Sequence, residues 1–275
     1  MCVEKLRLVK RCPCWLGLFW CCIAVSLSLA CDVERVVSDR SDDTILVSVA
    51  TSLSDAVNRV AKGFEQETGV RVVVNTAGSQ VLATQIVEGA QVDVFVSADQ
   101  RQMFRTVSAG QMDRSRLVNL LSNQLVIVMP SDRRPRISDV EALSDPLIRR
   151  IALGDPEAVP VGVYAKQYLI NVGLWDVVSP KVIPTRSARA VLRAVESGSV
   201  DAGVVYRTDA LSSQAAVVVY DVKSDLSPRI VYPAAVATNA ANPRGAVQFF
   251  DFIQGSTAQQ LFQRLGFVLL TEPSA

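Results

Sequence analysis

Short apolar runs alternate along most of the chain with longer stretches in which apolar residues recur every three or four positions. The first run, Thr44–Ala50, predicts a buried strand, and the periodic stretch over residues 54–68 predicts a helix that ends at Gly69. Two similar pairs follow, with strands predicted at 70–75 and 92–96 and helices at 80–88 and 99–109. Valine- and isoleucine-rich strands that each lead into a helix are typical of parallel strands covered on both faces, so the sequence predicts an α/β fold.

The pattern is interrupted by a polar stretch over residues 131–136 and then restarts. Beyond the break the sequence predicts strands at 151–153, 181–184, 202–206, 216–220 and 229–236, and helices at 162–172, 187–196, 243–255 and 256–265. Two α/β units separated by a break indicate two lobes. In open α/β sheets, ligands bind outside the carboxyl ends of the strands, so the loops from strand ends into helix starts are the candidate binding loops.

The first 30 residues differ in kind from the rest. Four basic residues within the first eleven precede an uncharged apolar run over residues 15–30, an order typical of a secretory signal peptide. The run is shorter than the about 20 residues that span a membrane, although an uncleaved anchor remains an alternative. Cys31 follows Leu-Ser-Leu-Ala, which resembles a bacterial lipoprotein cleavage box in an imperfect order, so lipid attachment at Cys31 stays open. Polar residues 31–43 are interpreted as a tether.

Composition excludes several classes of function. All six cysteines lie within the first 31 residues, so the folded body has no disulfide framework and no thiolate cluster for zinc. The chain contains no histidine, which excludes a Ser-His-Asp triad and histidine-ligated metals. Beyond residue 30 the body carries 24 basic and 26 acidic residues, and this slightly acidic balance gives no reason to expect nucleic-acid binding. We therefore expect neither an enzyme nor a bound cofactor.

Two of the candidate binding loops are small, uncharged and rich in hydroxyl groups. One runs through Ser52 in the sequence ATSLS, and the other ends at Ser79 in TAGS. The start of a helix offers unpaired backbone N–H groups and a partial positive charge, both of which favour an anion, and the serines can add hydroxyl donors. Serine is also a preferred N-cap residue. The residues alone therefore leave anion binding and helix capping as open alternatives.

Several segments resemble the periplasmic molybdate-binding proteins of ABC importers. In collinear order they are residues 50–56, 77–79, 92–100, 154–160, 162–166, 173–176, 203–206 and 265–267, so the resemblance runs from about Thr44 to Phe267. It implies the two-lobed type II periplasmic-binding-protein fold, in which each lobe is a mixed, mostly parallel sheet flanked by helices and two crossovers form the hinge. The implied lobe boundaries are 44–128 plus 228–275 for lobe 1 and 129–227 for lobe 2.

The same resemblance implies which residues contact the oxyanion. Ser52 and Ser79 are expected to donate from both hydroxyl and backbone N–H. Val161 and Ala188 match positions that donate only a backbone N–H, and Tyr206 matches a tyrosine that donates its hydroxyl. No residue is expected to ligate a metal directly, because the molybdenum would be bound as molybdate by these five residues. Taken from the residues alone, Tyr206 is instead a strand-end tyrosine with its ring in the core and its hydroxyl in water.

Two positions depart from the family pattern. Val161 replaces the usual alanine, and Arg186 stands where many relatives have an acidic or neutral residue. Both leave the anion preference open.

The resemblance implies an extracytoplasmic monomer that captures molybdate, and also tungstate, for an ABC permease. A binding protein for sulfate, or for tungstate only, is the alternative. The protein would be periplasmic, or anchored in the membrane through a lipid on Cys31. Effector domains of some transcription regulators share this fold, but residues 1–43 offer an export signal where those proteins need a helix-turn-helix.

Overall fold

A computed structural model describes residues 44–133, 137–223 and 225–270. The predicted signal peptide (1–30), Cys31 and the tether (31–43) lie outside the described residues. The described strands are β1 (Thr44–Ala50), β2 (Arg71–Ala77), β3 (Val94–Val96), β4 (Met112–Ser122), β5 (Leu125–Pro130), β6 (Ile151–Gly154), β7 (Val182–Thr185), β8 (Ala202–Tyr206), β9 (Ala216–Asp221), β10 (Tyr232–Ala237) and β11 (Val268–Leu269).

The helices alternate with these strands. They are α1 (Ser54–Thr68), α2 (Ser79–Val87), α3 (Gln100–Ser108), α4 (Pro160–Asn171), α5 (Trp175–Val178), α6 (Ala188–Glu196), α7 (Arg207–Leu211), α8 (Pro243–Gln254) and α9 (Ser256–Arg264). Short 3-10 helices occupy Thr51–Leu53, Glu141–Ser144 and Ser179–Lys181. Within the described ranges, none of the helices combines the length and apolar character that crossing a bilayer requires.

The strands form two sheets. The first has the order β11-β4-β10-β3-β1-β2, and the second has the order β7-β6-β8-β5-β9. Helices α1, α8 and α9 pack against one another, and both α1 and α8 contact β1. In the second sheet, α6 contacts β5, β6 and β8. The two-lobed α/β architecture expected from the sequence is confirmed.

Both sheets are mixed, as expected, but they are not mostly parallel. Within the described residues, the pairings of β1 with β2 and β3 and of β6 with β7 and β8 are parallel. The other five pairings, which involve β10, β4, β11, β5 and β9, are antiparallel. Four of these strands, β4, β5, β9 and β10, lie next to the places where the chain passes between the sheets, whereas β11 follows α9.

The first crossover lies earlier than the sequence predicted. Residues 123–124 separate β4 of the first sheet from β5 of the second, and β5 pairs with β8 and β9. Residues 125–128, which the prediction placed in lobe 1, therefore belong to lobe 2. The polar break near residue 131 follows β5 and is not the crossover. The chain returns between β9 and β10, over residues 222–231, which include the predicted boundary after residue 227.

The local pattern of apolar residues correctly predicted the bounds of some elements. β1 and α1 begin and end where they were predicted, and Gly69 follows α1 as its C-cap. In contrast, β4 and β5 were not predicted. The first half of β4 includes the exposed residues Arg114, Ser115 and Arg116, so it lacks the apolar run of a buried strand. Its strand conformation depends on antiparallel partners on both sides, β10 and β11, which come much later in the chain.

Candidate functional site

The five residues expected to contact an oxyanion line one pocket between the two sheets. The first lobe contributes Ala50, Thr51, Ser52, Gly78, Ser79 and Ala98, and the second contributes Val159, Pro160, Val161, Ser187, Ala188 and Tyr206. Each lobe presents the ends of parallel strands and the starts of the helices that follow them, which is the usual binding edge of an open α/β sheet. Ligand contact by these residues remains a prediction, whereas their convergence on one pocket is a property of the structure.

Ser52 and Ser79 do not act as helix caps. Ser52 lies in the 3-10 helix that joins β1 to α1, and Ser79 is the first residue of α2, whose N-cap is Gly78. Neither helix start has a side-chain cap hydrogen bond. The Ser79 hydroxyl oxygen instead accepts a hydrogen bond of 2.9 Å from the backbone N–H of Ala98, which follows β3. Because that oxygen already accepts a hydrogen bond from behind, the O–H of Ser79 is available as a donor.

The second lobe contributes two backbone N–H groups to the pocket, from Val161 and Ala188. Val161 lies in the first turn of α4, and Ala188 is the first residue of α6. The first N–H groups of a helix have no acceptor within that helix, so both can donate to an anion. The start of α4 lies very close to the end of β6. A Cβ at residue 162 would be only 2.0 Å from the carbonyl oxygen of Gly154. Only glycine at residue 162 permits this approach.

Tyr206 is the last residue of β8 and lines the pocket. Its ring packs edge to face against Tyr232, with centroids 5.6 Å apart. Only 1% of Tyr206 is exposed, and its hydroxyl has no hydrogen-bond partner among the described residues. Burial raises the pKa of this hydroxyl well above its ordinary value, so it is a donor at neutral pH. The interpretation from residues alone was therefore half correct, since the ring is in the core but the hydroxyl is buried at the pocket and not in water.

Among the residues that the structure describes, no charged side chain lines this pocket. Arg186, whose side chain could have leaned into the cleft, is exposed and is not among the lining residues. Its carbonyl oxygen accepts a hydrogen bond of 3.2 Å from the Gln80 side chain across the cleft. The pocket is small, about 10 Å³, far below the 300–1,000 Å³ usual for organic ligands. This size favours an ion of a few atoms over a sugar or a peptide.

Polar contacts between residues of the two lobes lie around the pocket. Besides the bond between Gln80 and Arg186, Arg189 of α6 forms an ion pair of 2.7 Å with Asp55 of α1. Arg101 of α3 donates to the carbonyl oxygen of Glu157 at 3.1 Å. Each contact joins a residue of the first lobe to a residue of the second. The structure therefore has the closed arrangement in which both lobes reach the same pocket.

A second interlobe cavity, of about 380 Å³, adjoins the first at Ser52. Its charged lining residues are Asp55, Arg59, Arg189, Asp209 and Arg264. Asp209 is only 4% exposed, and its Oδ2 atom has no hydrogen-bond partner among the described residues. Burial raises the pKa of Asp209 to about 7, with a smaller rise from Asp55, and Arg189 opposes this shift.

We expect the substitution Asp209→Asn to stabilise the protein above about pH 7. With a pKa of about 7 when folded and 3.8 as the ordinary value, the folded carboxyl keeps a proton that the unfolded chain releases. The stability that this carboxyl contributes is complete below its pKa in the unfolded chain. It is lost as the pH rises through its pKa in the folded protein. An amide does not ionise, so the variant's melting temperature should fall less between about pH 4 and about pH 9. Parallel profiles for the two proteins would contradict this assignment.

Two residues behind the pocket were missed by the sequence analysis. Asn123, between β4 and β5, donates from Nδ2 to the Tyr232 hydroxyl at 3.0 Å. The ring of Tyr232 in turn packs against the pocket residue Tyr206. No sequence signal links these residues to the binding loops, because they lie far from those loops along the chain.

Comparison with known proteins places this arrangement among binding proteins. Residues 45–268 match the family model described as bacterial extracellular solute-binding protein. The chain is 35% identical over 259 residues to the molybdate-binding protein ModA of Escherichia coli, covering 93% of this chain and 98% of that one. It is 34% identical to YvgL of Bacillus subtilis, named as a candidate ABC transporter substrate-binding lipoprotein, over 82% of this chain and 86% of the relative.

A solved structure has the same fold. The periplasmic molybdate-binding protein of Azotobacter vinelandii superimposes with a TM-score of 0.75 at 23% sequence identity. The match covers 82% of this chain and 100% of the other. This likeness supports the fold independently of the sequence relatives.

Proposed function

Because the chain belongs to the bacterial extracellular solute-binding protein family, we propose that it captures molybdate between its lobes and delivers it to an ABC importer. The observation that carries the proposal is the pocket itself. The pocket brings together Ser52, Ser79, Val161, Ala188 and Tyr206 from both lobes, and none of the described residues that line it is charged. The Tyr206 hydroxyl is buried without a partner among the described residues, which fits a donor that a bound ion would satisfy. The name of the Escherichia coli relative supports molybdate as that ion.

Hydrogen bonds can replace the hydration shell of a dianion without any cationic side chain. Burying an ion carries a large desolvation cost. Each hydrogen bond to a charged group returns roughly 1.5–3 kcal/mol, and the two serines, two backbone N–H groups and Tyr206 offer about seven donors. After the costs of binding and lobe closure, these donors are sufficient for submicromolar affinity.

A pocket of donors also discriminates against protonated anions. Hydrogen phosphate carries an O–H that needs an acceptor, and an unpaired O–H in a buried site is costly. Molybdate, tungstate and sulfate are fully ionised at neutral pH and need only donors. Molybdate and sulfate then differ in size, which the closeness of the two lobes selects. A binding protein for sulfate, or for tungstate alone, is the alternative that the same donor set would serve.

The remaining parts of the proposal concern location and partners. The protein would act outside the cytoplasm as a monomeric carrier without enzyme activity or cofactor, with a membrane permease as its partner. The word lipoprotein in the name of the Bacillus subtilis relative supports a lipid anchor on Cys31. Mass spectrometry of the mature N-terminus in membrane fractions would test the anchor, since lipid attachment adds a fixed mass to a chain that begins at Cys31.

A thermal-shift screen tests the proposed ligand. An anion that binds only the closed form raises stability by RT ln(1 + [L]/Kd), about 1.4 kcal/mol at roughly tenfold excess over Kd. For a domain of this size we expect molybdate and tungstate to raise the melting temperature by about 3–6 °C. Hydrogen phosphate should have no effect. The proposal fails if none of the dianions shifts the transition, or if phosphate shifts it most, and titration calorimetry would then rank the anions.

A further inference from the structure

The second interlobe cavity has a basic lining, in contrast to the pocket beside it. It has a volume of about 380 Å³, and both it and the pocket are lined by Ser52. An anion inside the second cavity would therefore lie next to the pocket. The charged residues that line this cavity are three arginines and two carboxyls, namely Arg59, Arg189, Arg264, Asp55 and Asp209.

The three arginines come from both lobes. Arg59 lies one turn after Asp55 in α1, and Arg264 is the last residue of α9, so both belong to the first lobe. Arg189 of α6 belongs to the second lobe. The side chains of Arg59 and Arg264 are exposed, and neither forms an ion pair with another residue in the described ranges. Their positive charges are therefore not offset by a partner there.

The two carboxyls of the cavity leave most of this positive charge in place. Asp55 is engaged by Arg189, in the ion pair of 2.7 Å that joins the lobes. Burial raises the pKa of Asp209 to about 7, so this carboxyl carries only part of its negative charge near neutral pH. The charges of Arg59 and Arg264 thus remain, and the cavity is basic at neutral pH.

The rest of the body offers a dianion little attraction. Beyond residue 30 it carries 24 basic and 26 acidic residues, and none of the described residues that line the pocket is charged. Positive charge beside a cleft raises the local concentration of an anionic ligand and can increase its association rate by about 10- to 1,000-fold. Charges at the rim of a binding site act mainly on association and on its salt dependence.

We propose that Arg59 and Arg264, together with Arg189, make the second cavity an outer anion site, which attracts the oxyanion and leads it to the pocket at Ser52. The inference rests on the proposed function, since it concerns how the same ion reaches its site. The arginines act at a distance on any oxyanion and increase its association rate. The neutral donors of the pocket contact the bound ion and determine which anion is retained.

Replacing Arg59 and Arg264 together with glutamine tests the proposal, because both charges are removed and the ion pair of Arg189 is kept. The dissociation rate would be measured as the release of radiolabelled molybdate into excess unlabelled molybdate, and the Kd by titration calorimetry. Their ratio gives the association rate. At about 10 mM ionic strength we expect association to slow about three- to tenfold, with dissociation unchanged. In about 1 M salt, where charges are screened within about 3 Å, the variant and the wild-type protein should associate equally fast.

Replacing Arg71 and Arg114 together with glutamine is the matched control, because it removes the same charge from the opposite edge of the first sheet. Arg71 is exposed at the start of β2, whose other end leads to the pocket. Arg114 is exposed near the start of β4, which pairs with the last residue of β10. This control should associate at the wild-type rate. Association that is unchanged in the test variant, or slowed equally in the control, overturns this inference alone. A wild-type protein that binds none of the anions overturns the proposed function and this inference together.

Discussion

Replacing Ser79 with alanine should weaken molybdate binding by about 10- to 100-fold while the protein remains folded. The hydroxyl oxygen of Ser79 is occupied by the Ala98 N–H at 2.9 Å, so the function left to this side chain is donation into the pocket. Its loss removes one hydrogen bond to a charged ligand. The buried Ala98 N–H also loses its acceptor, which we expect to lower the free energy of unfolding by about 1–3 kcal/mol.

Ser54→Ala is the matched control for this substitution. Ser54 is also a buried serine at the start of a helix, and its hydroxyl donates to the carbonyl oxygen of Thr51 at 3.0 Å. It does not line the pocket. Calorimetric titration should therefore give wild-type molybdate affinity for Ser54→Ala and a weakened affinity for Ser79→Ala. Equal affinities in the two variants would mean that Ser79 serves the fold and not the ligand.

Gly78→Ala should weaken binding by a similar or larger factor through a different cause, the closure of the lobes. A Cβ at this position would lie 2.9 Å from the carbonyl oxygen of Arg186, which belongs to the opposite lobe. The backbone of Gly78, with φ −62° and ψ 141°, is accessible to alanine. Within the first lobe the Cβ would also lie 2.6 Å from Oε1 and 2.7 Å from Nε2 of Gln80, but these atoms end a flexible side chain that can move away. Overpacking of this kind costs about 1–3 kcal/mol, and the part of this cost that comes from the Arg186 backbone falls on the closed form. We expect the affinity to fall by about 5- to 150-fold.

Small-angle scattering separates this effect from a lost hydrogen bond. Saturating molybdate should reduce the radius of gyration of the wild-type protein as the lobes close, and the reduction should be smaller for Gly78→Ala. Gly63→Ala provides the control, because the nearest atom to a Cβ there is a side-chain carbon of Phe252 at 3.7 Å. That variant should bind molybdate normally and gain slightly in stability, by about 0.5–1 kcal/mol, as is usual for glycine within a helix. Wild-type affinity in Gly78→Ala would contradict the close approach of the lobes at this point.

The sequence by itself determined the elements whose signals are local. A continuous apolar run forms β1, and the periodic apolar residues of α1 are followed by Gly69. The serines at the two loop ends could also be identified, because the residue types that donate to anions stand at predicted helix starts. The sequence could not distinguish capping from binding there, since both use the same residue at the same place.

Tertiary structure decided the strand β4, the position of the crossover and the hydrogen bonding at the site. These features depend on groups that meet only after folding. β4 becomes a strand through its pairing with β10 and β11. Its exposed polar residues lack the apolar pattern by which a strand is predicted from the sequence. The crossover after Ser122 follows from that pairing and not from the polar break near residue 131. At the site, the direction in which a serine hydroxyl donates is set by whatever donates to its oxygen from behind. The backbone N–H of Ala98 does this for Ser79. A hydrogen bond's direction is a property of both partners, so one residue read along the chain cannot supply it.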